Sequence, residues 1–201
     1  MKKFILTLVL ATCFFFTVRA NAINSAGQLQ IPVGRNFLEL GDVGSWYIHG
    51  TALFTFKGPA VPQLYTYTGP RIRLSGTANL YLLGGAWVSG SNTGSDTYGL
   101  ASVWFESSHC FIDKLNCFAE VDAYFNVRGL GAERGAGLYT WLTMSYQFTS
   151  DISVGLISEN VSLPSFKQTA LGPAITVKNA TFWLAHDGQN DMVLLRVLVG
   201  L

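Results

Sequence analysis

Seven charged residues, Arg71, Arg73, Glu120, Asp122, Arg128, Lys178 and Arg196, all fall in the polar half of runs that alternate between apolar and polar positions. Both signs are mixed, so the chemistry available is pairing between carboxylates and guanidinium or ammonium groups brought together from separate segments. Inside a barrel of about eight strands the space is filled by side chains, and such charges then pair as an interior salt-bridge network. The same residues would otherwise line a polar passage or a ligand site, and the network is the favoured expectation.

Other reactive types are sparse. Cys110 and Cys117 bracket the short segment 111–116. In an oxidising compartment that spacing predicts a disulfide tying down one loop. No metal site is expected there, because His109 adds just one further ligand. His49, His109 and His186 stand apart from any serine at a nucleophile spacing, and no catalytic residue is assigned. His186 beside Asp187 is the one pair where acyl chemistry is conceivable, which keeps a lipid-modifying enzyme as a third reading. The run Gly129 to Gly135 lacks the third glycine and the following helix of a dinucleotide fingerprint, so no cofactor is expected.

The elements that must position these groups are strands. Arg71 to Leu82 alternates over twelve positions, with Ile72, Leu74, Gly76, Ala78, Leu80 and Leu82 opposite Arg71, Arg73, Ser75, Thr77, Asn79 and Tyr81. Successive strand side chains point to opposite faces, so the run has one apolar wall and one charged wall. Seven further strands are expected at 46–57, 98–106, 118–128, 138–148, 152–161, 174–186 and 191–201. Short strands at 28–33 and 86–91 would raise eight to ten. Segments 58–69, 129–137 and 163–173 read as loops, and the helical period is absent after residue 22.

Composition narrows the setting. Lys2 and Lys3, the apolar Phe4 to Val18 and the small-x-small Ala20-Asn21-Ala22 form a cleavable signal peptide over 1–22. The domain plan is then an irregular lead-in, 23–45, and a β-barrel, 46–201. Without the basic residues of the leader, 10 basic residues face 12 acidic ones, which gives nucleic acid no basic surface. Charged residues make up 12% of the chain, about half the usual share, so a solvent other than water is implied. No apolar run after the leader is long enough for a spanning helix. The remaining way across a membrane is a closed, up-and-down antiparallel β-barrel.

Asp191 to Leu201 ends the chain on an alternating strand, with Val193, Leu195, Val197, Val199 and Leu201 on one face and Arg196 opposite. This resembles the C-terminal strand by which small bacterial outer-membrane β-barrel proteins are recognised by their assembly machinery, with Leu in place of the usual Phe or Trp. The resemblance implies a Gram-negative outer membrane, lipid and that machinery as partners, and an even strand count. The role would be structural, adhesive or the passage of a small solute. Trp46, Phe56, Tyr81, Trp104, Phe148 and Trp183 would form interfacial girdles. The rival reading is a soluble periplasmic or secreted barrel or sandwich, with the apolar wall as its core and a lipophilic ligand. On the eight-strand plan, tight turns at 149–151 and 187–190 share one end and the longer loops share the other.

Overall fold

The computed structural model describes residues 24–55, 62–91, 94–128, 136–163 and 167–200. The segment read as a signal peptide, the 129–135 glycine run, Phe56 and Leu201 lie outside the described residues.

The chain is all-β and closes into a single barrel. Its strands are β1 Asn24–Glu39, β2 Gly44–Thr55, β3 Pro62–Arg73, β4 Ala78–Ser91, β5 Gly94–Ser107, β6 Leu115–Arg128, β7 Ala136–Gln147, β8 Ile152–Ser162, β9 Lys167–Val177, β10 Ala180–Asp187 and β11 Met192–Val199. Chain neighbours pair antiparallel all the way round. The seam is different: β11 meets β1 in parallel, from Asn24 opposite Met192 to Gln30 opposite Leu198. The eleven strands replace the expected eight or ten, and the even count is not met.

Five corrections account for the difference. The alternation from Arg71 to Leu82 runs straight through a turn: the N–H groups of Leu74 and Ser75 both donate to the carbonyl of Ala78, at 3.0 and 3.2 Å. A four-residue turn preserves the parity of the pattern, so the sequence looks like one strand. The supposed loop 58–69 holds the first half of β3. Gly69 takes a φ of 157°, and a Cβ there would run into the Leu82 carbonyl. Between Thr68 opposite Gly84 and Arg71 opposite Tyr81, the β3–β4 pairing lapses at Gly69 and Pro70, which has no N–H to give.

Likewise the supposed loop 163–173 holds most of β9, where Pro173 coincides with a lapse in pairing to β10. The supposed strand 174–186 breaks at Lys178, whose φ of 55° starts a tight turn. Finally, the lead-in 23–45 contains β1, at 16 residues the longest strand. Beyond Gln30, β1 pairs with β2 but has no partner on its β11 side.

One barrel end carries the connections 40–43, 74–77, 108–114, 148–151 and 178–179, and at the other β2 ends where β3 starts, β4 where β5 starts, β6 where β7 starts, β8 where β9 starts and, through 188–191, β10 where β11 starts. Turns 149–151 and 187–190 are therefore at opposite ends, and the expected asymmetry of loop lengths disappears. Cys110, in the connection before β6, forms a disulfide with Cys117 near the start of β6, which names the first end the disulfide end.

Side chains divide cleanly by face. Outside, Leu82, Val103, Val121, Leu142, Leu156 and Leu195 are all exposed. Inside, Asp122, Asp187, Glu159 and Arg196 are buried beside Trp104, Trp141 and Trp183. The apolar face of this barrel is its surface, and its interior holds the charges.

An ion pair across the lumen and an acidic pair as the candidate functional site

The centre of the lumen is built on β8 and β11. Arg196 donates from both terminal nitrogens to Glu159, at 2.9 and 2.8 Å, and from Nε to Gln28 Oε1 at 2.7 Å. Glu159 also accepts from Gln168 at 2.8 Å and from the Tyr139 hydroxyl at 3.2 Å. The guanidinium carbon lies 5.1 Å from the Trp141 ring centroid and 5.0 Å from that of Trp183. A desolvated ion pair is stable when further hydrogen bonds meet its remaining positions, and here Gln28, Gln168 and Tyr139 supply them to Arg196 and Glu159. With Leu53, Tyr65 and Tyr139, the pair forms a waist between two cavities that share these five residues.

The cavity on the disulfide side has a volume of about 230 Å³. Tyr47, His49, Tyr67, Tyr81 and Trp104 contribute rings to its wall, and Glu106 and Glu120 contribute carboxylates. His49 is held by Thr51 at 2.8 Å and by the Tyr47 hydroxyl at 3.3 Å, with its ring 5.0 Å from that of Trp104. Glu106 is well served: Tyr81 donates at 2.6 Å, Asn79 donates at 2.8 Å, and Arg71 stands 3.5 Å away. Asp122 accepts from Ser102 and, at 2.8 Å, from the Tyr67 hydroxyl, which stands 3.5 Å from Glu120. Among the described residues no basic side chain comes within ion-pair distance of Glu120 or Asp122.

Beyond Glu106 and Phe118 this cavity adjoins a polar vestibule of about 410 Å³ at the disulfide end, lined by Thr77, Asn79, Asn116 and Thr143. Across the waist, the other cavity, about 350 Å³, lies between Trp87, Tyr124, Gln168 and Leu194.

Of the seven charges read from the sequence, Arg71, Glu120, Asp122 and Arg196 lie on the lumen side in three groups: Arg71 with Glu106, Glu120 with Asp122, and Arg196 with Glu159. Arg73 is exposed at the end of β3. Lys178 is a correction: it sits exposed in the β9–β10 turn, because the alternation there spans two strands. The side chain of Arg128 lies outside the described residues. The girdle expectation also changes, since Tyr81, Trp104 and Trp183 point inward while Trp46 is exposed on the outer wall.

The sequence reading missed Glu106 and Glu159, and weighed Asp187 only as the neighbour of His186. Parity was the available signal: each stands an even number of residues from an inward Trp104, Ile157 or Trp183. Parity also separates His186 from Asp187. His186 faces out and meets Asp191 at 3.3 Å, while buried Asp187 accepts from the Thr169 and Gln189 N–H groups at 3.2 and 3.0 Å and from Asn190. The two side chains share no site.

No protein-family model, curated protein or solved structure matches the chain.

Proposed function

We propose that this protein is a small outer-membrane β-barrel whose lumen is closed at its waist, so that it serves as a wall-forming and solute-binding element without an open pore. One observation carries the reading: exposed Leu, Val and Phe side chains cover the outside of the strands while Asp122, Glu159, Asp187 and Arg196 are buried within. In water that distribution is inverted, and in a bilayer it is the stable one. Strands of 8 to 16 residues bracket the length a tilted strand needs to cross the hydrocarbon. The leader over 1–22 supports export. The soluble alternative requires the apolar face to be the core, and here the inward face is the charged one.

The odd strand count departs from single-chain bacterial barrels, although odd-numbered transmembrane barrels exist in mitochondria. Closure at the waist favours the structural and solute-binding roles over free passage. The separation of His186 from Asp187 removes support for the enzyme reading.

Fractionation of the expressed full chain tests the proposal. The expected result is recovery in the outer membrane, with a folded band that shifts on boiling before electrophoresis. Recovery in the soluble periplasm without detergent overturns it.

A further inference from the structure

The lumen accommodates one buried cation in a recognisable way. Arg196 has a carboxylate in front of it and indole rings on two sides, at 5.1 and 5.0 Å. The cavity on the disulfide side, which the paired Arg196 and Glu159 line at the waist, holds a second set of acidic and aromatic groups. Glu120 faces it next to Asp122, neither has a basic partner among the described residues, and Tyr47, Tyr67, Tyr81 and Trp104 wall it.

A second observation concerns hydrogen bonds. Gln30 Oε1, buried on the same cavity, has no hydrogen-bond partner among the described residues. A buried acceptor left open in this way calls for an occupant with a donor of its own.

We propose that this cavity binds a small organic ammonium ion carrying a hydroxyl group. The cation lies against the aromatic rings and Glu120, where ring quadrupole and carboxylate act in the same direction. Its hydroxyl donates to Gln30 Oε1. The approach is from the disulfide end, past Glu106 and Phe118, which this cavity shares with the vestibule. The site is interior, so this inference does not rest on the membrane reading.

The test is calorimetric titration of the folded full-length chain with choline, and in parallel with its uncharged isostere 3,3-dimethylbutan-1-ol. Choline is expected to saturate at about millimolar concentration or below, and the isostere to bind at least about tenfold more weakly. A Glu120→Gln variant that retains the heat-shifted folded band is expected to lose about tenfold in choline affinity. Equal binding of choline and its isostere overturns the proposal, as does the absence of saturable heat by about 10 mM choline. The isostere comparison uses the wild-type chain and stands even if the variant does not fold.

Discussion

Removing one partner of a buried ion pair leaves the other charged and unmatched, and Arg196 is only 3% exposed. Arg196→Ala or Glu159→Ala is therefore expected to destabilise the barrel by about 3–5 kcal/mol, read from the urea midpoint of the heat-shifted band. The double variant should cost less than the sum of the singles, because neither charge is then stranded. The neighbouring residues His186 and Asp187 give a contrasting pair. Asp187→Ala strips the acceptor from two backbone N–H groups and Asn190, for an expected loss of about 1–3 kcal/mol in the same assay. His186→Ala, on the outer face near the chain turn, should fall within about 0.5 kcal/mol of wild type. A sequence places these two side chains next to each other; the period of two in a strand places them on opposite sides of a wall.

At the scale of elements, the two-residue period was legible wherever a strand was long and its faces differed in polarity, as in 46–55 and 118–128. The boundaries were much less so. Gly69, Pro70 and Pro173 are residues that usually break strands, and here they occur at lapses in pairing within β3 and β9, so composition pointed to loops. The turn at 74–77 failed in the other direction, because its residues kept the alternation going. Glu159 stayed hidden because β8 changes character midway: Ile152, Val154 and Leu156 face out in its first half, Ser158 and Asn160 in its second. The disulfide belongs to this scale as well, since it closes a loop of few residues before β6. In the chain-entropy account such a loop is worth about 2 kcal/mol. Reduction with a thiol should lower the temperature at which the folded band disappears, while the band itself survives at room temperature.

The whole molecule turns on which solvent surrounds it. Leu195 is 50% exposed on the outer wall, in the middle of β11. Arginine there should cost about 2–4 kcal/mol if the wall meets hydrocarbon, and next to nothing if it meets water. Because the side chain points outward, refolding Leu195→Arg into lipid vesicles and measuring its unfolding free energy separates the two cases. A cost near zero would count against the bilayer.

The parallel seam has a further consequence. An odd number of crossings makes the chain a traverse and not a return trip: the start of β1 and the close of β11 emerge from opposite ends of the cylinder. In a membrane those two points belong to different compartments. The ring is also completed by its two most distant strands, which meet over seven residue pairs. No shorter set of these strands can make that contact, so an assembling chain must keep the β1 edge unsatisfied until its last strand has been made.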